Sequence, residues 1–404
     1  METFKCFIRI ANKFIAKKRA NISRRLKRLL RTDGVSLVCN VNLDLLHDQK
    51  KLLFCYTNKH LGILFEQENI FHSNVFHASQ MLYELISLGF SIDVCHCNDV
   101  SVLNVLKRRK YDYIVGFGKV FEEMAKNGGI KYRILFITEN NPEVSRSKAQ
   151  ERLEYFKQRH PNIKTRFFIQ RDKFYTIEQF KLANIGICMS NEYNAESMRP
   201  YFNKFYRINV NGLYNKTFIY KDNISDKRRG FAWFGSNGVI HKGLDILIDA
   251  FNEIPEYNLN IYGAPARESK YLKKIAKKNI IFHDKVCVFG EQFISEVVNK
   301  NCFTISLSCS EGMNSGIATC MLHGLIPIVT KETGFDPKPF IIELESYRVE
   351  YVIDKLKRLS EINDNELKRI SLEVYKFAHE ELTLKRFDQR FRSIFVDIIA
   401  GQIK

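Results

Sequence analysis

The chain lacks several things, and each shortage narrows what it can be. Among its 404 residues no apolar run reaches about 18, the length a helix needs to cross a bilayer, so no spanning helix is expected. Its first residues show no short apolar core followed by small residues, so no secretion signal is expected. No internal repeat and no low-complexity tract appears. No Asp-x-Asp pair occurs anywhere, which argues against a divalent metal held by such a pair. Cys95-His96-Cys97 puts two thiols on one face of a strand, but no second Cys or His pair stands at a suitable spacing for zinc. The ten cysteines are scattered, several in apolar strand-like segments, and read as buried reduced thiols of a cytosolic protein. No recognised nucleic-acid module is present.

What is present is a large core and an uneven charge. Hydrophobic residues make up 45 % of the chain, enough for two ordinary domains. The net charge is +18, and residues 1–31 carry eleven Lys or Arg against Glu2 alone. Between these charges stand Phe4, Phe7, Ile8, Ala11, Phe14, Ile15, Ile22, Leu26, Leu29 and Leu30 at gaps of mostly three or four. The segment reads as a basic amphipathic helix or two, suited to an anionic membrane surface. A helix docked on the protein's own body is the competing reading. The aromatics lie on the apolar side rather than as base-stacking platforms, so nucleic acid is not expected as a partner.

Beyond it, strands and helices alternate. Strand-like runs occur at Val35–Cys39, Leu61–Leu64, Phe90–Cys95, Tyr113–Gly118 and Tyr132–Ile137. Helical patterns occur near Met81–Ile86, ending at Gly89, and over Val100–Arg109. Asn211–Gly230 is polar and is read as an interdomain connection. The rhythm then restarts, with strands at Phe231–Phe234, Leu259–Tyr262, Ile280–Phe282, Phe303–Leu307 and Ile326–Val329. Helices are expected at Leu244–Phe251 and Phe293–Val298, and over most of 340–400. Such alternation implies parallel sheets covered on both faces. The boundaries read from it are a basic segment 1–34, a first domain 35–212, a second domain 213–385 and a final helix 386–404.

In open sheets of this kind, ligands bind beyond the carboxyl ends of the strands. The candidate residues gather at such ends. In Gly235-Ser236-Asn237-Gly238-Val239-Ile240-His241-Lys242-Gly243 a strand runs into a Gly loop, and a Lys stands just before a helix. Helix N–H groups and a cation together would bind a diphosphate. The spacing is not that of a Walker loop. In Ser308-Cys309-Ser310-Glu311-Gly312-Met313-Asn314-Ser315-Gly316 one carboxylate sits in a loop of small residues before a helix. A sugar joined to a diphosphate would meet both the carboxylate and the helix N-terminus. Thr138-Glu139-Asn140-Asn141-Pro142 follows a strand, so Glu139 could serve as a base or hold an acceptor hydroxyl; a capping or surface role is the alternative. His72, Ser73 and Asn74 form a loop before the first helix, near His77. His241 and His323 stand near the other loops, and a lone His is more often structural. Gly116-Phe117-Gly118 is a fragment of a dinucleotide fingerprint without its third Gly, and reads more simply as a tight turn.

Taken together, Gly235…Lys242-Gly243-Leu244-Asp245, Gly263 and Ser310-Glu311-Gly312…Gly324…Pro327 resemble the retaining GT-B glycosyltransferases of family 4, over roughly residues 230–335. The closest likeness is to bacterial members that build capsule, lipopolysaccharide or other surface glycans. The resemblance implies an α/β fold with two Rossmann-like doubly wound domains facing a cleft, and a last helix crossing back to the first domain. It implies a hexosyltransferase-type enzyme that moves a sugar, with retention, from a nucleotide-sugar donor to a glycan or lipid-linked acceptor, without metal or other cofactor. The basic segment 1–31, rather than the likeness, would hold such an enzyme in the cytoplasm at the inner face of the membrane. By the same likeness Lys242 binds the donor diphosphate and Glu311 the donor sugar. Gly235, Ser236, Gly263, Val286, Gly312, Met313, Asn314, Ser315 and Thr319 surround the donor, and His72, Ser73, Asn74 and Glu139 face the acceptor. The chain departs from the pattern twice. Ser236 stands where the family usually has Arg, and Thr319 where it has a second Glu for the ribose. Cys320-Met321 suits a subgroup. These departures also fit a second possibility, a non-catalytic nucleotide-sugar-binding or partner subunit of the same fold.

Overall fold

The computed structural model describes residues 37–41, 50–57, 74–163, 174–221 and 223–401. The basic segment 1–34, the 61–64 run, His72 and Ser73 lie outside the described residues. Thirteen strands are described: β1 (Leu37–Val38), β2 (Lys51–Tyr56), β3 (Ser91–His96), β4 (Tyr113–Gly116), β5 (Tyr132–Ile137), β6 (Ile185–Cys188), β7 (Lys204–Arg207), β8 (Gly230–Phe234), β9 (Asn258–Tyr262), β10 (Ile280–His283), β11 (Phe303–Ser306), β12 (Ile326–Thr330) and β13 (Ile342–Leu344). The helices of seven residues or more are α1 (Asn74–Ser87), α2 (Gly118–Ala125), α3 (Pro142–Arg159), α4 (Leu244–Asn252), α5 (Ser315–Met321), α6 (Val349–Arg358), α7 (Asp364–Glu381) and α8 (Leu384–Ala400).

The strands form two sheets. The first has the order β1-β3-β2-β4-β5-β6-β7. Leu52, Leu53, Phe54 and Cys55 of β2 are all fully buried, as a strand must be when both faces of its sheet are covered. Its neighbours β3 and β4 run parallel to it, and short β1 caps β3 antiparallel. The second sheet has the order β10-β9-β8-β11-β12-β13, and every pairing in it is parallel. Its strands in sequence therefore lie 3-2-1-4-5-6, the doubly wound Rossmann order. The order reverses between β8 and β11.

The chain divides into two compact units. One comprises residues 1–136, 178–185 and 391–404; the other comprises 137–177 and 186–390. In the first unit the end of α8 supplies core: Phe395 meets Phe90 edge-on at 6.3 Å, and Phe391 meets Phe136 at 6.3 Å. Arg392 pairs with Glu84 at 3.0 Å.

Three segments differ from the sequence reading. Val100–Arg109 is a 3-10 turn followed by one α-turn, Leu103–Leu106, rather than a helix. Phe293–Val298 is wound as a π-helix. The polar stretch from Asn211 is not an exposed tether within its unit. Asn211, Leu213 and Asn215 are buried, and Asn215 donates to Val288 O at 2.9 Å and Gly290 O at 3.2 Å. Its polar residues satisfy backbone groups in the interior, which is why composition makes them look solvent-facing.

Candidate active site

The site is built where the second sheet reverses its order. From β8 the chain runs through Gly235–Gly243 into α4, and from β11 through Leu307–Asn314 into α5. Gly243, at φ +70°, lets the first loop lie on the second: a Cβ there would stand 2.6 Å from Leu307 Cβ. The two loops are joined by the two residues picked out for chemistry. Lys242 donates from Nζ to Glu311 Oε1 across 69 residues of sequence, and Ser308 Oγ donates to the same oxygen at 2.9 Å. Lys242 is 7 % exposed and Glu311 9 %. Two charges this deep are tolerable because each answers the other. His241 is a brace beside them. Its ring nitrogen Nε2 bonds to Ser310 O, and its carbonyl accepts from Cys309 N at 2.9 Å.

The amides around Glu311 divide into two sets. Glu311 N donates to Glu332 O at 3.0 Å, and Asn314 N to Thr333 O at 3.2 Å. Asn314 Oδ1 accepts from Gly316 N and Ile317 N, so it caps α5 internally. Among the described residues the amides of Gly312 and Met313 have no acceptor. Ser315 is half-buried at the first position of α5. Thr319 turns inward. Its hydroxyl donates to Ser315 O at 2.8 Å and accepts from Leu213 N at 3.0 Å.

On the β8 side, Gly235 is packed on Trp233, and a Cβ on Gly263 (φ +78°) would meet Gly235 O at 2.5 Å, so these two loops touch. Ser236 is exposed, and Val286 is half-buried after β10. The Gly loop's amides are not open as the sequence reading expects. Gly238 N and Val239 N both donate to Glu268 Oε2, at 2.7 and 3.1 Å. That carboxylate already occupies an anion's place.

Glu139 is half-buried in the loop after β5. The preceding Thr138 O, with Met189 O, crowds the Cα of Gly312 so closely that a Cβ has no room. Two asparagines continue this contact: Asn140 Nδ2 donates to Asn194 Oδ1 at 3.1 Å, and Asn194 Nδ2 to Glu311 O at 3.0 Å. They line, with Lys148, Tyr193, Glu196 and Glu332, a cavity of about 440 Å³. Asn194 and Glu268 were not foreseen. Asn191, which caps the turn bearing Asn194 and follows a strand, was the available signal.

Asn74 begins α1, and His77 is fully buried. His323 is held neutral, with burial pushing its pKa down to about 4. Nδ1 contacts Thr319 O at 2.7 Å and Nε2 accepts from Asn215 N at 3.1 Å, a bonding pattern that fits one neutral tautomer. Gly116 and Gly118 have φ of +132° and +89°, and Gly118 N donates to Gln179 Oε1, as a tight strand-to-helix turn requires. Among the described residues no group of three or more His, Cys, Asp or Glu comes together to hold a metal. No described helix is long and apolar enough to cross a membrane.

Comparison with protein-family models and with curated proteins gives no match. Solved structures do match. Sucrose-phosphate synthase from Thermosynechococcus elongatus superposes with a TM-score of 0.60 at 10 % identity, over 88 % of this chain and 100 % of that one. WaaG, a glycosyltransferase involved in lipopolysaccharide biosynthesis, gives 0.55 at 12 % identity, over 85 % and 99 %. Anabaena Alr3699/HepE, in complex with UDP and glucose, gives 0.50 at 11 % identity, over 87 % and 100 %. The chain spans about 60 % of the pneumococcal O-GlcNAc transferase GtfA and 57 % of TarM. The fold is that of the GT-B glycosyltransferases, with two Rossmann-like sheets.

Proposed function

We propose that the protein transfers a sugar from a nucleotide-sugar donor to a glycan or lipid-linked acceptor, with retention at the anomeric carbon. One observation carries the reading: Lys242 and Glu311 are paired at the switch point of the second sheet, where such folds take their ligands. A donor diphosphate would compete for the Lys242 ammonium. As it took that cation, Glu311 would be released to accept hydrogen bonds from sugar hydroxyls. The amides of Gly312 and Met313 would add donors beside it. In the reaction the bond from the anomeric carbon to the diphosphate oxygen breaks and a bond to the acceptor oxygen forms on the same face. The acceptor proton passes to the departing phosphate oxygen. Lys242 stabilises the charge left on the diphosphate, without a metal. Glu139 would hold the acceptor hydroxyl in position by accepting its hydrogen bond until that transfer. The UDP and glucose bound by the Anabaena neighbour are in keeping with such a donor. Basic residues 1–31 would keep the enzyme on the cytoplasmic membrane face, where lipid-linked acceptors for surface polysaccharide are found.

The inward commitment of Thr319 favours one other reading, a subunit of this fold that binds a nucleotide sugar without transferring it. Both readings are tested together. A thermal-shift screen with UDP-, GDP-, ADP- and CMP-sugars identifies the donor, because a bound donor raises the midpoint. Turnover is then measured for the natural chain and for Glu311→Gln, with circular dichroism as the folding control. Transfer should fall by about 10²-fold or more in the variant. Unchanged turnover would remove Glu311 from the site. Donor binding with no turnover in the natural chain would favour the binding subunit.

A further inference from the structure

The opposite edge of the second sheet carries an unused cation. Lys227 ends a short helix, Ile224–Lys227, just before β8, so it lies at the amino ends of the strands, away from Glu311 at their carboxyl ends. It is 7 % exposed. Its ammonium has three donors, and among the described residues only one is answered, by Val298 O at 3.0 Å. No carboxylate pairs with it among the described residues. Burial holds its pKa below the ordinary lysine value. An unanswered buried ammonium is costly to keep, and such groups gather at binding sites.

Lys227 lines a cavity of about 130 Å³, with Lys221, Asn223, Val298, Asn299 and His323 among its walls and no Asp or Glu among the described residues. Asn223 stands at the cap position of the short helix but makes no capping hydrogen bond with its side chain. Val298 closes the π-helix, a winding often kept at functional positions. His323 adds no charge, being neutral with both ring nitrogens engaged. The space suits a tetrahedral oxyanion and falls below the roughly 300 Å³ at which sites for larger organic ligands begin.

We propose that this cavity is a second anion site, taking a phosphate group, with Lys227 as its buried cation and Lys221 and Asn223 at its mouth. The site does not depend on the transferase reading. The group could arrive as free phosphate or as the end of a small phosphate monoester.

The test is a titration of the full chain with inorganic phosphate and, separately, glycerol phosphate, read by thermal unfolding and by 31P line broadening. Sodium chloride at matched ionic strength serves as control. Both phosphates should raise the midpoint saturably if the site accepts a monoester; a rise with inorganic phosphate alone assigns it to the free ion. Lys227→Met should melt higher than the natural chain without ligand, because it removes an unpaired buried charge. It should lose at least tenfold in phosphate affinity. Lys221→Gln, at an exposed position, should weaken binding severalfold and guards against a folding failure of the first variant. Lys242→Gln should keep the response, which separates this site from the loop at Glu311. No saturable response in the natural chain, or the same response in Lys227→Met and Lys221→Gln, overturns the proposal.

Discussion

Glu268 holds the amides of Gly238 and Val239 with one carboxylate oxygen, so any phosphate brought to Lys242 arrives beside a negative charge. Glu268→Gln keeps an acceptor for both amides and removes the charge. Donor affinity at low salt should rise about fivefold, the equivalent of about 1 kcal/mol, and less at high salt. Calorimetric titration with the donor checks this; weaker binding would mean that the loop needs the full charge to keep its shape. His323 sets a second expectation. Its folded pKa of about 4 lies below the unfolded value, so between the two the unfolded chain binds more protons. The stability it confers is complete above about pH 6.5 and is lost as pH falls toward 4, by about 3 kcal/mol in total. Urea midpoints across that range should show the slope, and His323→Gln should flatten it. That Lys242 and Glu311 belong near one place was readable in the sequence, because each stands in a loop between a strand and a helix. Glu268 was not, since no motif marks an acid that satisfies a neighbouring loop.

At the scale of elements, the turn after β12 decides where the Glu311 loop stands. Gly334 has φ +96°, and a Cβ there would collide with Gly312 O. Gly334→Ala should therefore cost about 3 kcal/mol or more and push the Glu311 loop out of register. The drop in midpoint should come with loss of donor binding; an unchanged midpoint would mean that the turn relaxes freely. Strands were the easiest elements to read. Tyr132–Ile137 and the Phe303 and Ile326 runs are mainly apolar because parallel strands are buried on both faces. The long helix α3 was missed for the opposite reason. Pro142–Arg159 is dense in charge, yet its Arg152 is 1 % exposed. The guanidinium donates to Leu307 O at 2.8 Å and lies over the Tyr347 ring at 4.4 Å. A helix that buries an arginine has no simple apolar stripe for the eye to follow. In the same way the buried asparagines at 211 and 215 disguised packed backbone as a linker.

For the whole molecule, charge is the property with the broadest reach. More than half of the net +18 falls in residues 1–31. A form lacking those residues should lose most of its binding to anionic vesicles while keeping its melting midpoint. Vesicle sedimentation decides the matter, and equal partitioning of the two forms would exclude the membrane role. The doubly wound class was legible from the alternation of strands and helices along the chain. The place of 137–177 in the second unit was not, because no local pattern announces it; the return of the last helix to the first unit was expected only from the family likeness.

That return governs how the protein can be made. The first unit is assembled from three separated stretches, and its interior waits for Phe391 and Phe395, which follow the whole of the second unit along the chain. Most of the second unit is one unbroken stretch, 186–390, complete before them. Nascent chains usually mature from the front. Here the earlier-born half is the later one to be sealed, and emergence of the stretch around Phe391 and Phe395, rather than of its own strands, is the event that finishes it.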